Sequence, residues 1–142
     1  MHTKLFIKSL AGAVLTCSIC ATSLAEVVVI VHPSNAAAFD EKGIQRIFLG
    51  KAKKFSTGKE ALPINQIADS PSRASFDTDT LGRTSSQVSA YWSKRLFTGK
   101  GTPPKEVDSD ADVLALVADN PNAIGYVDSS AATDAVKVLS LN

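Results

Sequence analysis

Four consecutive residues could do chemistry. Ser70-Pro71-Ser72-Arg73 sets two hydroxyls and a guanidinium where the spacing predicts a helix start. Ser70 suits the N-cap, and Pro71 suits the first helical position, where its missing N–H would be unpaired anyway. The N–H groups of Ser72 and Arg73 would then point ahead of the helix. Spare donors, hydroxyls and an arginine at a helix N-terminus make a site for a small anion. The plainer reading is that Ser70 caps its own helix and Arg73 lies in solvent. Ser34 and Asn35 are a second pair of candidates. They follow an apolar run in a polar turn, and α/β proteins hold ligands outside the carboxyl ends of their strands. A simple strand-to-helix turn accounts for these two as well.

Other reactive chemistry is scarce. No nucleophile and base stand at a recognisable spacing, so catalytic residues are not expected. His32 reads as a strand-end residue, since a lone histidine has no visible partner. Asp108, Asp110 and Asp112 fit a helix start, where the dipole favours carboxylates, and they lack the glycine and terminal glutamate of a calcium loop. Gly99-Lys100-Gly101-Thr102-Pro103-Pro104 runs into prolines and not into a helix, unlike a phosphate-cradling loop. Lys51, Lys53 and Lys54 could screen an anion, dock a partner or lie in a solvated loop. Neither a metal nor a cofactor is expected.

The elements that must position these residues alternate in type. Glu26 to His32 is a β-branched run that suits a strand buried on both faces. Phe39 to Leu49 reads as a helix with Ile44, Ile47 and Phe48 on its buried stripe and Gly50 as its stop. Leu62 to Gln66 reads as a strand, and Ala74 to Leu81 continues the helix opened at Ser70. Thr84 with Gln87 has capping-box spacing and opens a helix to about Phe97, with Val88, Tyr91, Trp92 and Leu96 on one face. Lys105-Glu106-Val107 is a short extended piece. Ser109 with Asp112 starts a helix to about Asp119, with an apolar face of Val113, Leu116 and Val117. Ala123 to Val127 is a strand whose Gly125 implies close approach of another group. Val136 to Leu141 alternates as a last, edge strand. This order predicts an α/β domain of three layers on a mixed, mostly parallel sheet.

The first 25 residues read differently. A basic start (Lys4, Lys8), an apolar middle from Leu10 to Ala21 and the close Ser23-Leu24-Ala25 have the form of a cleaved secretory signal. Its apolar part is too short to span a bilayer comfortably. Cleavage after Ala25 leaves residues 26–142, 117 of the 142, as one domain. Cys17 and Cys20 leave with the signal, so no disulfide is expected. Removing Lys4 and Lys8 from the 15 basic residues leaves 13 against 14 acidic ones, a formal charge of −1. That balance argues against a nucleic-acid binder.

Three segments together resemble one family. Ile47-Phe48-Leu49-Gly50-Lys51-Ala52-Lys53-Lys54-Phe55 is similar to the "I-[FY]-x-G-K-x-x-x-W" segment of periplasmic phosphate-binding proteins, the solute receptors of phosphate ABC transporters. Ser70-Pro71-Ser72-Arg73-Ala74-Ser75-Phe76 resembles that family's "S-G-T-x-x-x-F" after a strand. Asn122-Ala123-Ile124-Gly125-Tyr126-Val127 resembles its "G-A-I-G-Y-V". Order and spacing agree over nearly all of residues 26–142. The resemblance implies one lobe of a type II periplasmic-binding-protein fold, where family members have two lobes about an anion cleft. Two departures fall in the central motif. Gln66 stands where the family has arginine, which removes a charged clamp, and Pro71 stands where it has glycine, which removes an N–H donor.

The first expectation is therefore a periplasmic or secreted protein that binds phosphate or a small oxyanion through Ser70, Ser72 and Arg73, helped by Ser34 and Asn35. An ABC transporter permease or envelope protein would be its partner, and two chains could pair as a homodimer to rebuild a cleft. The alternative is a protein-interaction or sensory module that keeps the fold without the anion site.

Overall fold

The computed structural model describes residues 26–140. The expected signal segment, its cleavage point and the end of the last strand fall outside them. The elements run β1 (Val27–Val31), α1 (Glu41–Phe48), β2 (Leu62–Gln66), α2 (Pro71–Asp79), α3 (Ser85–Phe97), β3 (Lys105–Val107), α4 (Asp110–Asp119), β4 (Ala123–Asp128) and β5 (Lys137–Val138). A single 3₁₀ turn, Ser129–Ala131, separates the last two strands.

Local chemistry sets these boundaries. Asp40, Ser70, Thr84 and Ser109 cap α1 to α4, each accepting from a backbone N–H three residues on. Pro71 occupies the first turn of α2 as its fixed φ allows, and Thr84 with Gln87 closes a full capping box. Gly50 follows α1 at φ 71°, a left-handed conformation, with the Trp92 ring 2.6 Å from where a Cβ would sit. α1 and α2 are shorter than the periodicity predicts, because the caps, not the apolar stripe, define their ends.

The sheet order is β3-β2-β4-β1-β5. β2 pairs in parallel with β3 and β4, while β1 is antiparallel to both β4 and β5. Four strands thus point one way and β1 points the other, which makes the sheet mixed and mostly parallel. α1, α2 and α3 cover one face, through Ile44, Ile47, Phe48, Phe76, Val88 and Trp92 against Val29, Val31, Ile124 and Tyr126. α4 covers the other, through Val113 and Val117 against Ile30, Ile64 and Val127. The result is the expected three-layer α/β domain. Leu96 departs from its expected place in the buried face of α3; it is 57% exposed.

An aromatic stack fixes α2 over the sheet. Phe76 lies parallel to Tyr126 with centroids 4.0 Å apart, and Phe48 meets Phe76 edge-on at 4.7 Å. Each such pair adds about 0.5–1.5 kcal/mol beyond area burial. This contact ties α2 to β4 and so holds Ser70 and Ser72 at the carboxyl end of the parallel strands.

Candidate functional site

At that carboxyl end lies an open cleft of about 510 Å³, bordered by Gln66, Ser70 and Ser72 and by Asp69, Asp108, Asp110 and Asp128. The loop after β2 and the N-terminal turns of α2 and α4 bring these residues together. Their hydrogen bonds run inward. Ser70 Oγ donates to Gln66 Oε1 at 2.6 Å and accepts from the Arg73 N–H at 3.4 Å. Ser72 Oγ donates to Asp110 Oδ1 at 3.0 Å, and Gln66 Nε2 donates to the same oxygen at 2.7 Å. The Asp128 N–H donates to Asp110 Oδ2 at 3.4 Å. The Asp110 carboxylate therefore occupies the donors that an oxyanion would use. Gln66 is 1% exposed and spends its side chain on Asp110, Ser70 and the Tyr126 carbonyl.

Electrostatics favour no second anion. No lysine or arginine lines the cleft. The Ser130 hydroxyl and then its N–H hold the Asp128 carboxyl below its ordinary range, so that charge persists.

The expected site residues fall in three places. Ser70 and Ser72 stand together in the cleft. Arg73 does not join them, which corrects its role as an anion ligand. It is 2% exposed and turns under α2, donating from Nε to Asp77 Oδ2 at 3.2 Å and from Nη1 to Glu106 Oε1 at 2.8 Å and the Gln66 carbonyl at 2.9 Å. Burial pulls its pKa down, but the charge of Asp77 and the hydrogen bonds to Glu106 and Asp77 together raise it. Ser34 and Asn35 are corrected too. β1 runs opposite to β2 and β4, with Val31 beside Ile124 at the start of β4, so the turn after β1 lies at the far end of the sheet. There Ser34 and Asn35 border a small hollow with Phe55 and Lys59. Ser34 bonds His32 Nδ1 at 2.7 Å, and Asn35 Oδ1 accepts from the Ala37 N–H at 2.9 Å.

Four partners escaped the sequence reading: Asp77, Glu106, Asp110 and Tyr126. Asp77 had a signal, since it stands four residues after Arg73 on one helix face. Asp110 was legible only as a helix-start acid. Tyr126 donates its hydroxyl to Asn65 Oδ1 and accepts from the Gln66 N–H at 3.1 Å, and burial pushes its pKa strongly up. Nothing local announces either contact. Among the described residues, no three His, Cys, Asp or Glu side chains are grouped to hold a metal, and no helix is long and apolar enough to cross a membrane.

Solved structures share this fold. A phosphate transport receptor of the ABC type from Vibrio cholerae superposes with a TM-score of 0.64 at 16% identity, over 81% of this chain and 45% of the receptor. A candidate phosphate ABC transporter substrate-binding protein from Clostridium perfringens, with bound phosphate, gives 0.64 at 19% identity over 81% and 44%. PstS from Borrelia burgdorferi gives 0.63 at 18% identity over 82% and 47%. The chain thus spans less than half the length of these receptors, and it has the fold of one part of them, as the three motifs imply. No family model matches the chain, and no curated protein matches it in sequence.

Proposed function

We propose that this chain is an exported, non-catalytic binding module that keeps part of a phosphate receptor's fold and has given up its anion site for recognition of another protein in the cell envelope. One observation carries this reading: the Asp110 carboxylate lies on Ser72 Oγ and Gln66 Nε2, where an incoming oxyanion would need them. A charge-assisted hydrogen bond contributes about 1.5–3 kcal/mol. Forgoing two of them, with Arg73 engaged elsewhere, weakens a site by about two to four orders of magnitude, since each 1.4 kcal/mol is about tenfold. A sub-micromolar site would fall to roughly tens of micromolar at the lower end of that range and to about millimolar at its upper end.

A second reading keeps phosphate or a similar oxyanion as the ligand, delivered to an ABC transporter. It is favoured by the likeness to receptors, one of which holds phosphate. A calorimetric titration with phosphate at low ionic strength separates the two, with sulfate and Ser72→Ala run alongside. The module reading expects no heat up to millimolar phosphate. Saturable micromolar binding that Ser72→Ala abolishes would sink it and restore the receptor reading.

A further inference from the structure

The two largest hollows carry opposite charges in their linings. The carboxyl-end cleft is lined by four aspartates and no cation. At the opposite end, where β2, β3 and β4 begin, runs an apolar groove of about 420 Å³. Leu62, Trp92, Pro103, Pro104 and Leu116 form its wall, and its charged lining residues are Lys53 and Lys105, with no carboxylate. Arg95 adds a third cation, its guanidinium 5.7 Å from the centre of the Trp92 ring. Trp92 and Pro103 continue into an adjoining hollow that reaches Leu96. Leu62, Leu96 and Phe97 are exposed, the last by 92%. Leu62 lines the groove itself, and Leu96 lines the adjoining hollow together with Glu106; an apolar wall with exposed large side chains beside two lysines marks an interaction surface.

We infer that this groove receives an acidic peptide segment of a partner protein, with apolar side chains seated between Leu62 and Trp92 and carboxylates meeting Lys53, Lys105 and Arg95. The inference rests on the module reading and names its surface. Shape and charge choose the occupant. A concave apolar slot takes side chains from a chain segment, whereas a bilayer meets only convex surface. The acidic end of a second copy has the right charge but lacks an anchor, because none of the large exposed apolar side chains borders its cleft. An acidic, apolar segment satisfies both the wall and the rim.

Trp92 is the chain's sole tryptophan and lines the groove, so its fluorescence reports occupancy directly. The probe is the acetylated, amidated peptide Asp-Leu-Glu-Phe-Asp-Leu-Glu, beside a version with lysine at every acidic position. Expected is a saturable shift of Trp92 emission by the acidic peptide, with the lysine version weaker by about tenfold or more. The Lys53→Glu/Lys105→Glu variant, checked for folding by circular dichroism, should lose affinity for the acidic peptide by a similar factor and gain it for the lysine version. Equal response to both peptides, or none up to about 1 mM, overturns the inference. So does a lysine-dependent shift with phosphatidylglycerol vesicles in place of peptide, or self-association that the double variant abolishes. Phosphate binding by calorimetry would instead overturn the module reading and leave the peptide result standing.

Discussion

At the scale of residues, Arg73 shows how an attractive ligand becomes a structural ion. Its carboxylate partner Asp77 is wholly buried, and burial raises the Asp77 pKa more than Ser85 and Arg73 lower it. A folded-state pKa above the ordinary 3.8 means that the group's contribution to stability is full below that value and is withdrawn as pH rises through the folded one. Removing Arg73 removes part of what holds the charged form, so the withdrawal steepens. Arg73→Ala is therefore expected to lose about 3–5 kcal/mol at neutral pH, as when one partner of a buried pair is deleted, and less as Asp77 takes up a proton. Urea unfolding of both proteins from neutral pH down to pH 3.8 checks this. A gap that stays constant or widens on acidification would refute the account. The same substitution would abolish anion binding in an unfolding protein for reasons unrelated to contact, which makes Ser72→Ala the better probe of the cleft.

At the scale of elements, β4 and α4 are held by an approach that only glycine allows. A Cβ on Gly125 would stand 2.5 Å from Val113 Cγ1 and 3.5 Å from Val117 Cγ2. Gly125→Ala should therefore push α4 off the sheet and lower stability by about 1–3 kcal/mol. Val113→Ala removes the colliding methyls, so the double variant should be less destabilised than the two single losses predict when added. A thermal or urea double-mutant cycle reads the difference, and strict additivity would mean that the contact does not limit the packing. This approach was legible from one glycine inside an apolar strand, as were the helix caps Ser70, Thr84 and Ser109, because each depends on residues within a few positions; Asp40 reads in the sequence as part of its helix and is its cap. Strand order was not legible in that way. The β-branched run of β1 announces a buried strand but says nothing of its direction, and that direction carries Ser34 and Asn35 away from Ser70 and Ser72. The Asp110 contact to Gln66 spans 44 residues and depends on where α4 starts relative to the end of β2. Of the candidates drawn from local signals, Ser70 and Ser72 therefore lie together, while Arg73, Ser34 and Asn35 lie elsewhere.

At the scale of the whole molecule, the question is whether a second copy rebuilds the missing wall of the cleft. The receptors sharing this fold are more than twice as long as the matched part, so a homodimer closing over the cleft is a natural thought. A closed pair would be isologous, with the same patch on both copies. It would set Asp69, Asp108, Asp110 and Asp128 of one chain against the same four of the other. Like charges facing across a closing interface cost several kcal/mol, and no cation in the cleft offsets them. Phosphate would add negative charge to the seam. The protein is therefore expected to sediment as one monomeric species at micromolar concentration, unchanged by millimolar phosphate. Sedimentation velocity at neutral pH with and without phosphate decides the matter. Dimerisation driven by phosphate at neutral pH would mean that the cleft takes an anion between two lobes, with Asp110 displaced from Ser72 and Gln66 to admit it.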